Sequence, residues 1–572
     1  MVEKKNRNNN PSLGRFLISA LLCILSLGAD AARAKIEWHT YVQPDGTVLT
    51  LTLSGDEHFS CYRDFEGRMY SRDSLGVFHL LPLDQVPSAP MVMSRTRAGL
   101  PDKSYSFYEW NADSIYRRLV ILVSFADCDF SFEDPLATYD AMFNQSGYNQ
   151  RNGPGCVADY FRDQSRGLFN LKFDVYGPIK VSKSVQNVNV SRNYGQDVFT
   201  EAARKLVEAH PDIDYSVYDW DNDGVAEPVV FVYAGYSGNQ AAISGSGYIW
   251  PNSSSFSTVK TPDGYQLSDY TASGELWTNN TSCGLGLICH EFSHGLGLPD
   301  IYPTSSSNTA ISLVDEWDLM DGGTFTNYGW CPPNFSPIEK MLMGWLTPVE
   351  LTADTTITDL APVARGGEVY LIRHTADEFY LLENRQWEGW DYGLPGRGLV
   401  IYHVLYDKNH WRGNYVNYEQ DKPYYSIVAA DNMTYLDWYN YCVSQKKSQY
   451  TAKDRLRSRL MSTAPYPCLL DTVGTMNRAL TDTSVPAARM YTADADGNTM
   501  LSKSITNITQ NDDGTVSFRF RASPASSIHS LQSDSSSSGI YTLSGRRLPP
   551  HTDIHHLQKG IYIVKGRKIA LF

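Results

Sequence analysis

Apolar and polar residues alternate near the start of residues 35–116, where HTYVQPDGTVLTLTLSGDEHF is broken by the turn signals DG and SGD. That period of two predicts β-hairpins. At residues 117–125 the pattern changes to RRLVILVSF, an unbroken apolar run of the kind buried on both faces of a sheet. A boundary is therefore set between residues 116 and 117. VADYFRDQSRGLF (157–169) and VFTEAARKLVEAH (198–210) carry apolar residues at helical spacing, the first predicted to stop near Gly167. LKFDVYGPIKV and PVVFVYAGY (228–236) predict strands. From about residue 350 short strands alternate with turns, as in EVYLIRH, EFYLLENR, GLVIYHV and TVSFRFRA, and predict a β-rich, sandwich-like region over 350–522. A Ser-rich linker (523–539) and two or three closing strands (540–572) follow. The fold class expected is α+β.

CGLGLICHEFSHGLG places Leu285, Ile288, Phe292 and Leu296 at helical intervals. On such a helix His290 and His294 share one face, and Glu291 lies beside it. Two imidazoles four residues apart can hold one zinc ion, with the adjacent carboxylate free to take a proton from a zinc-activated water. Gly297 can adopt the positive φ that stops the helix, and Pro299 prevents its resumption, so Asp300 can return as a third ligand. Twenty residues later EWDLMDGG sets Met320 before a glycine pair, as in a methionine turn beneath a zinc site.

HEFSHGLGLPD, WDLMDGG and FSPIEKMLMGWL together resemble the secreted zinc metalloproteases of the immune inhibitor A type, a metzincin-like group with the pattern HExxHxxGxxD. VILVSFAD, GCVADYFRDQSRGLFNLKFDVYG, DWDNDGVAEPVVFVYAG and EFYLLENRQWEGWDYGLPGRGLVIYHV extend the resemblance in the same order over about residues 117–410, and more loosely over 35–116 and 410–522. Departures occur at Pro303, where Asp is common, at Leu405 of His403-Val404-Leu405, and at Cys156, where Ser is usual. None touches the expected zinc set. The resemblance implies a protein- or peptide-cleaving enzyme with a catalytic domain at 117–349, zinc held by His290, His294 and Asp300, and Glu291 as general base. Residues 35–116 become a propeptide, and the product a zymogen. Asp56, His58, Cys61 and Asp64 are groups there able to cap a zinc ion. Tyr328 is a candidate assistant by its place in the sequence alone. The alternative is a binding or adhesion protein on an inactive protease scaffold; such proteins typically lose the glutamate or a ligand, and all four residues are intact.

DWDNDGVAE offers Asp219, Asp221, Asp223 and Glu227 at positions 1, 3, 5 and 9 of an EF-hand-like loop, with Gly224 at position 6 and no glutamate at position 12. A calcium site completed by other residues is the expectation. The basic start and the apolar run FLISALLCILSLG (16–28), followed by small residues, read as a secretory signal over residues 1–34. The run is short for a membrane span. The last 33 residues, with IYTLSGRRL and KGIYIVKGRK, resemble type IX secretion sorting domains of Bacteroidota, so export machinery is an expected partner at both ends. A net charge of −14 argues against nucleic acid. Nine cysteines without a CxxC argue against a cysteine metal site.

Overall fold

The computed structural model describes residues 32–56, 59–82, 85–86, 109–185, 195–240, 243, 247–304, 312–419, 422–434, 461–470, 475–523, 540–542, 548, 557, 560–564 and 567–571. The chain divides into two units, Met1–Ser523 and Pro524–Phe572. The mixed α+β class expected from the sequence is what the larger unit has.

The predicted hairpins form a five-stranded antiparallel meander, β1 (His39–Val42), β2 (Val48–Gly55), β3 (Ser60–Arg63), β4 (Met69–Arg72) and β5 (Phe78–Leu80). The link between β1 and β2 turns at Gly46, whose φ of 86° favours a residue without a Cβ. Leu51, Leu53, Tyr62, Tyr70 and Phe78 make its apolar face, which packs with Ala34 and Trp250.

The central sheet runs β7-β6-β8-β10-β9, from β6 (Ile115–Ser124), β7 (Asn170–Lys180), β8 (Val229–Tyr236), β9 (Asn252–Lys260) and β10 (Gln266–Leu276). The pairs β6–β7, β6–β8 and β8–β10 are parallel, and β9 is an antiparallel edge on β10. Helices cover both faces, which is why β6 is a continuous apolar run. Leu119 and Ile121 meet Val198, Phe199 and Leu206 of α3 (Gln196–Ala209). Val120 and Leu122 share the opposite core with α1 (Pro135–Asn144), α2 (Val157–Gln164) and α4 (Gly286–Gly295). Helix α2 ends three residues before Gly167, because Arg166 and Gly167 take φ of 52° and 83° and turn the chain. At its start Cys156 does the work of the usual serine: its Sγ accepts the Asp159 N–H, and Asp159 accepts the Cys156 N–H at 3.2 Å.

After the short α5 (Pro337–Leu342) a mixed sheet is laid down in the order β11-β13-β14-β15-β16, from β11 (Val349–Glu350), β13 (Tyr370–Arg373), β14 (Glu378–Arg385), β15 (Gly398–Leu405) and β16 (Tyr425–Ile427). A second sheet pairs β12 (Thr355–Leu360) with β20 (Val516–Arg521), and β20 with β19 (Ser504–Gln510). All of β14 is buried: Phe379 and Leu381 face the core shared with the α4 helix, and Tyr380 and Leu382 face the core shared with β19 and β20. A two-stranded pair, β17 (Cys468–Leu470) and β18 (Thr475–Asn477), lies between them in sequence. The smaller unit contains an antiparallel trio, β21 (Ile540–Thr542), β22 (Gly560–Val564) and β23 (Arg567–Leu571). Among the described residues no helix is long and apolar enough to cross a membrane.

Candidate metal centre

Helix α4 carries His290, Glu291 and His294, all buried. It is seated by Phe292, whose ring lies 4.9 Å below the guanidinium of the buried Arg118, itself stacked on Trp220 at 4.2 Å. The helix stops as the sequence predicts. Gly297 has φ 95°, and the Leu298 N–H closes back onto the Ser293 carbonyl at 3.1 Å. The returning chain brings Asp300 under the two imidazoles.

The three side chains converge on one point. His290 Nε2 and His294 Nε2 are 3.2 Å apart, and Asp300 Oδ1 lies 3.4 Å from the first and 3.2 Å from the second. The distal ring nitrogens fix the orientation: His290 Nδ1 donates to the Leu319 carbonyl at 2.9 Å and His294 Nδ1 to the Leu298 carbonyl at 2.8 Å. With Nδ1 carrying the proton, both Nε2 lone pairs face inward. Burial holds the His290 pKa below its usual value, against the pull of the neighbouring Asp300 carboxylate, which favours the charged ring. Asp300 Oδ1 is buried without a hydrogen bond, whereas Oδ2 accepts from Asn414 Nδ2 at 2.9 Å. Two inward lone pairs and one buried bare carboxylate oxygen repel one another unless a cation joins them. This nitrogen-nitrogen-oxygen donor set suits zinc.

Met320 is fully buried where the methionine turn is expected. Its carbonyl accepts the Ile301 N–H at 2.9 Å and the neighbouring Leu319 carbonyl holds His290, so the turn braces two of the three candidate ligands. Residues 132–343 match the immune inhibitor A peptidase M6 catalytic domain. The match contains His290, Glu291, His294, Asp300 and Met320. Pre-pro-metalloprotease PrtV of Vibrio cholerae serotype O1 is 22% identical over 242 residues, which cover 37% of this chain and 26% of that protein. Immune inhibitor A of Bacillus thuringiensis subsp. alesti is 23% identical over 270 residues, covering 39% of this chain and 38% of the relative. The chain thus spans well under half the length of the curated relatives it matches. Likeness to the M6 catalytic domain supports a metalloprotease.

Other expected residues are placed differently. Asp219, Asp221 and Asp223 come together with oxygens within 4.8 Å of one another, but Glu227 does not join them. It is buried against Arg118, with 3.8 Å between the charges, because its N–H is tied to the Tyr218 carbonyl and its side chain turns inward. Three of the four expected calcium residues therefore remain grouped. Tyr328 is 54% exposed beneath the Arg151 guanidinium. Of the four groups expected to cap a zinc ion, Asp64 is occupied by Arg68 at 2.6 Å and Tyr70 at 2.9 Å, and Asp56 accepts the Phe59 N–H at 3.0 Å. Cys61 is buried in the meander, and His58 lies outside the described residues. Among the described residues none of these joins a metal-binding group.

What reaches Glu291 instead is a segment that falls within the expected signal, residues 1–34. The Ala32 N–H donates to Glu291 Oε1 at 2.9 Å. Trp250 Nε1 donates to the Ala32 carbonyl at 2.6 Å, and the Ala34 N–H to the Gly55 carbonyl at 2.7 Å. Ala32, Arg33 and Ala34 are all buried. The pattern of small residues here looks like leader sequence, and only the fold reveals where it packs. Asn414, remote in sequence and in a left-handed turn (φ 58°), was equally invisible.

Proposed function

We propose that this chain is an exported zinc endopeptidase made in a latent form. The observation carrying the reading is the convergence of His290 Nε2, His294 Nε2 and Asp300 Oδ1 within 3.4 Å of one another, with Glu291 next along the helix. His290, His294 and Asp300 would hold zinc. Bound there, zinc supplies Lewis-acid polarisation and an acidified water, whose pKa falls to about 7. Glu291 accepts the proton of the attacking water and returns it to the leaving nitrogen as the peptide bond breaks. Its Oε1 accepts the Ala32 N–H, which sets a backbone nitrogen 2.9 Å from the base. Asn414 and the Leu298 and Leu319 carbonyls keep the three ligand side chains in register.

Latency is supported by the same contact. While Ala32 occupies Glu291, a substrate cannot. A leader ending after Ala29-Asp30-Ala31, and not at residue 34, would leave this strap in the exported protein. We read the acidic trio Asp219, Asp221 and Asp223 as a calcium site and the C-terminal strands as an export signal. The test is hydrolysis of casein or gelatin by the signal-free chain, before and after limited proteolysis ahead of residue 117. A chelator should abolish activity and added zinc restore it. Equal activity before and after proteolysis would remove latency. No activity in a folded, zinc-loaded and processed protein would remove the enzyme.

A further inference from the structure

The strap is held in two ways. Its backbone is fixed by bonds indifferent to sequence: the Ala32 N–H and carbonyl contacts, the Ala34 N–H to Gly55, and the Lys35 N–H to the Asn239 carbonyl at 3.1 Å. The side chain of Arg33 is read by charge. The Arg33 guanidinium is buried between two carboxylates, pairing with Asp315 Oδ1 through Nη2 and with Asp321 Oδ1 through Nη1 at 3.1 Å.

The pocket is built for that occupant. Asp321 is fully buried, and its Oδ2 is used by its own loop, accepting from Ser312 Oγ and from the Asp315 N–H at 2.9 Å. Its Oδ1 is thereby turned to the guanidinium. Asp315 adopts φ 47°, a conformation side-chain-bearing residues seldom take, and this aims its carboxylate at the same point. The wall between them is Gly322: a Cβ there would collide with both Asp315 Oδ1 and Arg33 Nη2. These features make an occupied cation pocket, not merely a group of acidic residues.

The register follows from Glu291. The nitrogen that a general base serves belongs to the residue just after the scissile bond, and the Ala32 nitrogen, 2.9 Å from Glu291 Oε1, is taken to stand for it. Arg33 then stands for the second residue after the bond. Once the strap leaves, two carboxylates that shared one cation are left facing each other, and like charges at close range are unfavourable. A substrate arginine restores the pairing, whereas a neutral side chain leaves both carboxylates desolvated and unmatched.

We infer that the Asp315–Asp321 pocket selects substrates with arginine at the second position after the cleaved bond, the strap being a resident mimic of such a substrate. This rests on the peptidase reading above. The test uses the full chain after proteolytic activation, with loss of residues 32–35 verified by N-terminal sequencing, and in parallel the unprocessed chain carrying Arg33→Ala. Each is given a mixed peptide library, with mass spectrometry of the products, and then a matched pair differing only by arginine or glutamine at the second position. Arginine should be enriched at that position, and kcat/KM should favour it at least about 30-fold, as a charge-matched buried site discriminates. Asp321→Asn should shrink the ratio, and so should Asp315→Asn, which guards against one variant misfolding. Turnover of both peptides within about threefold, or enrichment at another position, would overturn the pocket while leaving the peptidase standing. Absence of any cleavage by either zinc-loaded preparation would overturn both.

Discussion

Asn414 grips Asp300 at two points: its Oδ1 accepts the Asp300 N–H at 2.5 Å and its Nδ2 donates to Asp300 Oδ2 at 2.9 Å. The pair is separated by 114 residues, so the last candidate ligand is positioned from a loop outside the matched domain. Partners of this kind govern ligand orientation, and their loss typically costs about 10–100-fold in metal affinity. Asn414→Ala should therefore give up zinc to a competing chelator at correspondingly lower chelator concentration, with its far-ultraviolet dichroism unchanged. Zinc retention equal to wild type would show that Asn414 only shapes the loop.

Asp300→Ala removes the candidate ligand itself. Zinc per chain, measured by atomic absorption after dialysis, should fall together with activity. Were Asp300 merely a residue of the helix end, zinc content would stay at the wild-type level.

Glu291→Gln separates binding from chemistry. All three metal donors survive, so zinc content should match wild type. Activity should fall by at least about 10²–10⁴-fold, the usual range for a general base. A zinc-replete variant within a few-fold of wild type would remove Glu291 from that role.

The methionine turn is tied to the following helix by two buried acids. Burial raises the Asp318 pKa to about 6, even though its hydrogen bond to Glu339 opposes the rise. Burial, and then the charge of Asp318, lift Glu339 well above its usual value. At least one carboxyl is thus protonated in the fold and donates to the other. A carboxyl with a raised folded pKa stabilises fully below its unfolded value of 3.8, and that contribution disappears as pH climbs through about 6. Its size is on the order of 3 kcal/mol. Asparagine cannot ionise, so Asp318→Asn should gain stability relative to wild type between about pH 4 and pH 7. Denaturant midpoints of both proteins across that window decide it; a constant difference rules out the shared proton.

The three residues of the candidate metal centre were legible because helix periodicity and a glycine-proline stop determine where His290, His294 and Asp300 must go. The strands β6 and β8 were legible for a related reason, since continuous apolar runs leave few other placements. Long-range closure was not. Asn414, Asp315 and Asp321 matter through partners far away along the chain, and no local period marks them. Glu227 shows the opposite failure: a sound local pattern was overruled by Arg118, a buried cation needing a counter-charge. The strap was hidden by composition, because small residues that suit a leader also suit a tight cleft.

Strand β14 is a party wall. Phe379 and Leu381 belong to the room that houses the helix of His290 and His294, Tyr380 and Leu382 to the one behind it. Neither room can be emptied without stripping one side of the same strand. Heating the protein should therefore melt both together, in a single calorimetric transition of the larger unit, and a fragment cut near residue 349 should emerge unfolded, because its helices would have lost the surface against which they are packed.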